Sequence, residues 1–234
     1  MKQIVWCCLV LCLGVHEVDA QSYAFGVKGG LTVGIQQWNG FNGRDPLLRY
    51  HGALFIESHN HENSASVFAQ AGYHVKGSAL RTRAYYSPFL MQNIEARTSN
   101  IEFQNVSLTA GIKQKNDLGL QAKYYWLFGV RGEYTIDSKG EGFLSIYDGL
   151  HNEFLFGVTI GGGLELPMGR FVSGIIEATV SPDLTRQMFL PPQDTGFTDG
   201  FSGAPIILPQ QEISNVVIEI SLGLRFLHEI TYID

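Results

Sequence analysis

Residues 215–226, NVVIEISLGLRF, place Val216, Ile218, Ile220, Leu222, Leu224 and Phe226 at every second position. Asn215, Glu219, Ser221, Gly223 and Arg225 fall between them, and Val217 alone breaks the alternation. Successive side chains of an extended chain point to opposite faces, so this is a strand with one apolar and one polar face. Ten steps at about 3.4 Å span ~34 Å, and a tilt of about 40° leaves ~26 Å of height, close to the apolar band of an outer-membrane barrel. Strands of soluble sheets are usually only about 5–6 residues long.

Seven earlier stretches carry the same pattern. The first has Tyr23, Phe25, Val27, Leu31, Val33 and Ile35 opposite Ser22, Lys28, Thr32 and Gln36. The second sets Leu48, Tyr50, Leu54 and Ile56 against Arg49, His51 and Glu57, and the third Val67, Ala69, Ala71, Tyr73 and Val75 against Gln70, His74 and Lys76. In the fourth, Val106, Leu108, Ala110 and Ile112 alternate, but Ile101 and Phe103 have the other parity; a bulge near Gln104 would flip the faces and reconcile them. The fifth turns Tyr124, Trp126, Phe128, Val130, Tyr134 and Ile136 outward and Lys123, Arg131 and Glu133 inward. The sixth has Phe154, Phe156, Val158, Ile160, Leu164 and Leu166 against Glu153, Thr159 and Glu165, and the seventh Val172, Ile176, Ala178 and Val180 against Ser173, Glu177 and Thr179. With the opening stretch this makes eight strands, a small even number typical of outer-membrane barrels. The expected fold is therefore all-β: an eight-stranded antiparallel up-and-down transmembrane barrel.

The connections agree with that topology. Segments 37–45, 79–97, 137–151 and 182–211 at one end are mostly long, whereas QKNDLG and PMGR at the other are short, the asymmetry between extracellular loops and periplasmic turns. Residues 1–20 read as a secretory signal peptide: Lys2, an apolar run from Ile4 to Val15, and a cleavage site at Val18-Asp19-Ala20. Residues 21–234 form one barrel domain. All three cysteines lie in the signal, so the remainder has no thiol with which to form disulfides or bind metal. Without the signal, 15 basic residues face 20 acidic ones, a formal charge of −5 that disfavours nucleic acid as a partner. Mean hydropathy is only +0.04, as alternation requires when apolar residues are hidden in a barrel wall. A soluble sandwich or lipocalin-like barrel would keep its outward residues polar, and strand length together with the signal favours lipid over water.

The inward face carries Lys28, Lys76, Arg131, Glu133, Glu165, Glu177, Glu219 and Arg225. An eight-stranded barrel is just wide enough for side chains to fill it, and four bases beside four carboxylates can neutralise one another there. A plugged polar lumen is the expectation, not a porin channel. Within segment 182–211, Met188, Phe189, Leu190, Phe197, Phe201 and Ile206 would be exposed if the loop extended into water, so the loop either folds over its own barrel mouth or docks on an outer-membrane protein partner.

Signals for catalysis and metal binding are weak. His59, His61 and Glu62 are close in sequence, but a zinc site needs about four ligands and these lie in a turn where polar residues are ordinary. Gly161–Gly163 lacks the lysine and helix of a phosphate loop, and glycines that shape a barrel strand explain it better. Ser221, Glu219 and His228 would be a lipid hydrolase's triad, yet His228 has the opposite parity and cannot converge with the other two. No catalytic, cofactor-binding or metal residue is therefore assigned.

At FGVKGGLTVG, FAQAGYHVKGSA and GVRGEYTI the chain resembles the PorT-like outer-membrane β-barrel proteins of Bacteroidetes. The resemblance rests on Gly26, Lys28, Gly29 and Gly30 in the first strand and on Tyr73, Lys76 and Gly77 in the third. It implies a signal peptide, an eight-stranded barrel in a Gram-negative outer membrane and, for some members, a link to type IX secretion and gliding. The final HEITYID departs from the aromatic last residue common in outer-membrane barrels, leaving Phe226 or Tyr232 as the assembly signal.

Overall fold

The computed structural model describes residues 22–39, 43–59, 64–87, 91–119, 122–198, 203 and 205–229; the signal segment lies outside them. Long strands come first: β1 (Ser22–Trp38), β2 (Arg44–His59) and β3 (Ala65–Thr82). A small hairpin of β4 (Tyr85–Ser87) and β5 (Gln92–Ile94) follows, then β6 (Arg97–Leu118) and β7 (Ala122–Gly140). A 3-10 turn at Gly142–Tyr147 precedes β8 (Phe154–Pro167) and β9 (Val172–Pro182). Short strands β10 (Met188–Leu190), β11 (Gln193–Thr198) and β12 (Pro205–Leu208) lead into β13 (Gln211–Glu229).

Eight of these close a ring. The order β1-β2-β3-β6-β7-β8-β9-β13 is antiparallel throughout, and β13 pairs back onto β1 from Ser22↔Glu229 to Trp38↔Ile213. Closure leaves no free edge, which a hydrocarbon solvent demands because it cannot satisfy a stray N–H or C=O. Outward residues stay exposed and apolar around the ring, as Leu222 (65%), Val130 (62%) and Phe156 (62%) do. Aromatic rings border this band. Tyr23 stands by Phe25, and Phe25 stacks on Phe226 with centroids 5.6 Å apart; Tyr134 and Phe154 meet at 5.0 Å toward the other end. An apolar outer wall around a polar interior is the arrangement for lipid, and the protein is an outer-membrane β-barrel of the Gram-negative type.

The expected bulge near Gln104 is displaced to the neighbouring strand. β6 pairs with β3 in unbroken register from Ala65↔Gln114 to Thr82↔Arg97, and its odd-numbered residues face inward throughout. Ile101 and Phe103 are thus interior side chains, 1% and 0% exposed, and need no parity flip. They point inward because the barrel mouth is apolar there: Trp38, Ile101, Phe103, Leu144, Met188 and Ile213 form one buried cluster. The register break lies on β7, where Gln104 faces Asp137 and Asn105 faces Thr135, leaving Ile136 without a partner. That extra residue reverses the faces and brings Ser138 inward.

Two of the glycines make room for the ring of the residue paired with them on the neighbouring strand. A β-carbon on Gly163 would lie 2.6 Å from the Tyr125 hydroxyl, and one on Gly26 would lie 2.5 Å from the Phe55 ring. The Gly161–Gly163 run therefore belongs to the wall of β8, where Gly163 leaves space for the Tyr125 ring of the adjoining β7.

A Leu222→Arg substitution in the lipid-facing band should destabilise the barrel by about 2–4 kcal/mol. Urea unfolding in lipid vesicles measures this, with the unboiled gel-mobility shift of the folded barrel as a check on assembly.

Candidate functional site

All eight charged residues expected inside are there, each no more than 9% exposed. Alternation puts them on the inward face, and the registers bring distant strands to the same height. Near the chain termini, Glu57 of β2 accepts from Lys113 Nζ at 2.9 Å, Lys115 Nζ at 2.5 Å and Arg225 Nε at 2.5 Å. Glu165 of β8 joins the same group through Lys115 at 2.9 Å and Arg225 at 3.0 Å.

Above this layer lies an interior apolar patch of Phe55, Phe68, Tyr125, Leu127 and Ile175. The Lys113 ammonium sits over the rings of Tyr125, Phe55 and Phe68, 4.5, 5.4 and 5.6 Å from their centroids. Its charge is shared between those ring faces and Glu57. The Tyr125 hydroxyl donates to Glu177 at 2.8 Å, and Lys28 donates to the same carboxylate.

A third group lies toward the loop end. Lys76 donates to Glu133 and to Asp183, both at 2.6 Å; Arg131 approaches the same two acids at 2.7 and 3.2 Å. His74 stands 3.3 Å from Glu133 and 3.8 Å from Glu219. In all, the six buried cations Lys28, Lys76, Lys113, Lys115, Arg131 and Arg225 pair with Glu57, Glu133, Glu165, Glu177 and Asp183, and the sixth interior carboxylate, Glu219, stands by His74. Between these groups a cavity of about 10 Å³, lined by Gln70, Ser107, Thr109, Thr159, Thr179 and Glu219 among others, has room for about one water.

Glu57, Lys113, Lys115 and Asp183 were not among the eight. The first three lie on inward parity of their strands, so alternation alone could have found them. Asp183 follows Thr179 and Ser181 at the same two-residue step, and its bridge to Gly157 carries the seventh strand two residues into what the sequence reads as loop.

The hydrolase arrangement does not assemble. Ser221 Oγ lies 2.7 Å from His51 Nε2, but His51 Nδ1 meets the Thr32 hydroxyl at 3.1 Å instead of a carboxylate. Glu219 faces His74, and His228 lies outside against Tyr23, ring centroids 4.8 Å apart. His59 Nδ1 is 3.4 Å from Arg225 Nη2; His61 and Glu62 lie outside the described residues.

Of the apolar loop residues, Met188 is 1% exposed, packed beneath β10 in the cluster at the mouth, with Leu190 partly buried against it. These two therefore face the protein's own barrel. Phe189 is 44% exposed, beside the Arg186 guanidinium. Phe197 and Ile206 belong to β11 and β12, but their side chains lie outside the described ones, as does Phe201 altogether.

No protein-family model matches the chain, and the sequence of no curated protein does. Among solved structures it is similar to Neisserial surface protein A, at 8% identity over 87% of this chain and 97% of that one, with a TM-score of 0.47. A major outer membrane protein from Thermus thermophilus is similar at 14% identity over 88% and 99%, TM-score 0.48. The outer membrane protein OprG from Pseudomonas aeruginosa is similar at 10% identity over 87% and 95%, TM-score 0.46.

Removing one member of the loop-side group strands buried charge. Lys76→Met should cost about 3–5 kcal/mol, whereas Arg186→Gln, at an exposed pair with Glu212, should cost less than about 1 kcal/mol. Equilibrium unfolding of both variants in vesicles checks the contrast.

Proposed function

We propose that this protein is a non-enzymatic outer-membrane barrel with a plugged polar lumen, a structural or accessory protein that binds an outer-membrane partner through its extracellular loops. The observation that carries the reading is the set of six cations and six carboxylates crossing the interior. Paired charges held by several strands at once would have to be pulled apart to open a passage, at several kcal/mol for each pair broken. Planar-bilayer recordings of the purified protein should give no stable large conductance, and a porin-sized step would overturn the closed lumen.

The partner reading is supported at the loop end. The mouth cluster leaves Phe189 (44% exposed) and Ile207 (57% exposed) uncovered on the segment between β9 and β13. An exposed apolar surface of this kind is a usual docking element. Gentle solubilisation from the native host should recover a stoichiometric partner, lost when residues 193–208 are replaced by a short polar turn. A lone monomer, or a partner retained by that variant, would refute the loop's role.

A catalytic reading requires an acid on the Ser221–His51 pair, where Thr32 stands. Unaltered lipid A in cells overproducing the protein is the expected outcome. The PorT-like resemblance supplies the finer alternative, association with type IX secretion or gliding; both of its lysines, Lys28 and Lys76, anchor interior ion pairs. Loss of secreted cargo on deletion is the result that would favour it.

A further inference from the structure

Two interior lysines, Lys76 and Lys115, each bond two carboxylates, but their settings differ. Lys115 lies toward the chain termini with its side chain 11% exposed, and its partner Glu57 is also held by Lys113 and Arg225. Lys76 is 0% exposed. Its Nζ lies 2.6 Å from Glu133 Oε2 and 2.6 Å from Asp183 Oδ2, and both acid side chains are 1% exposed. An amine, a carboxyl group for it to attack and a second carboxylate to carry protons thus share one dry site.

Arg131 completes the group. Its Nη2 lies 3.2 Å from Asp183 Oδ1, the oxygen that Lys76 does not bond, and its Nε lies 2.7 Å from Glu133 Oε1. Asn215 Nδ2 donates to Asp183 Oδ2 at 3.3 Å. Two cations face two carboxylates, so a proton passing from Lys76 to Asp183 leaves Arg131 opposite Glu133 and strands no charge. Burial of charge away from water is costly, and this transfer removes two buried charges at once.

We propose that Lys76 and Asp183 join in an intramolecular isopeptide bond, with Glu133 as the proton carrier. Once the proton has moved to Asp183 Oδ2, the Lys76 Nζ lone pair attacks Cγ, and Oδ1 takes the displaced electron pair beside the Arg131 guanidinium. Glu133 removes a proton from the nitrogen and delivers it to Oδ2, which leaves as water as the C–O bond breaks. Nothing is oxidised or reduced, and Glu133 ends as it began. The cavity of about 10 Å³ beside Arg131 has room for the one water released. In the product the amide N–H donates to Glu133, its carbonyl accepts from Arg131, and those two side chains remain paired.

The bond would tie β3 to the residue just beyond β9, 107 positions away, and enclose β3, β6, β7, β8 and β9 in one covalent loop. The closed lumen does not depend on it: failure of the cross-link leaves the ion pairs, and the conductance result, as they stand.

The test folds the full mature chain from urea into detergent micelles and follows its intact mass, with the gel-mobility shift as the check on folding. The unfolded chain should have the mass of its sequence, and the folded chain should become lighter by one water. Digestion should then yield a branched peptide joining residues 76 and 183, and the boiled protein should migrate faster than the K76R variant. K76R and D183A should lose no water, K115R should lose it as the unmodified chain does, and E133Q should lose it at least ~100-fold more slowly. A folded, unmodified chain that keeps its full mass overturns the proposal whether or not the variants fold. Loss of water that persists in K76R or D183A, or an undiminished rate in E133Q, overturns it as well.

Discussion

A bilayer core offers backbone groups nothing to bond with, and the rest of this structure follows from that. Each strand must pair on both sides, so the sheet closes from β13 to β1 over seventeen residue pairs. Closure sends one set of alternating side chains into hydrocarbon and confines the other to a tube too narrow for bulk water. Polar side chains that would be solvated on an ordinary sheet must then satisfy one another. The six cations and six carboxylates are the consequence, with hydroxyls and amides such as Thr135, Asn105 and Gln187 completing the network by bonding among themselves.

The interior is layered. Glu57 and Glu165 gather three cations near the termini; an aromatic patch around Lys113 follows; Lys76 and Arg131 bridge Glu133 and Asp183 beyond it; and an apolar cluster lies at the mouth. This order explains why one face of β6 changes character along its length. Lys113 and Lys115 reach toward Glu57, whereas Phe103 and Ile101 on the same inward face meet Trp38, Leu144 and Met188. A bulge is needed to explain β6 only if the whole interior is assumed to be polar.

The loops divide similarly between inward and outward duties. Leu144 of the 3-10 turn and Met188 of β10 are drawn into the mouth, and Tyr147 packs edge-on against Trp38, centroids 4.9 Å apart. Phe189 and Ile207 stay exposed. The surface available for recognition is therefore what remains after the loops have covered the barrel's own apolar rim.

The sequence by itself determined the eight strands, the faces of their regularly alternating residues and the presence of all eight anticipated charges inside, because alternation with period two is a local property of extended chain; the exceptions are Ile101 and Phe103, which a bulge would have turned outward and which lie inside. It also showed that Ser221 and His228 diverge. Only the tertiary structure decided which charges meet: Lys28 and Glu177 are 149 residues apart, Arg225 and Glu57 168. Their pairing depends on the stagger of strands around the closed ring, which parity does not encode. The same holds for His51, which stands beside Ser221, for Asp183, which extends β9, and for the reversal at Ile136 that leaves β6 undisturbed. Each is fixed by register between neighbouring strands, and register is set by the whole barrel closing at once.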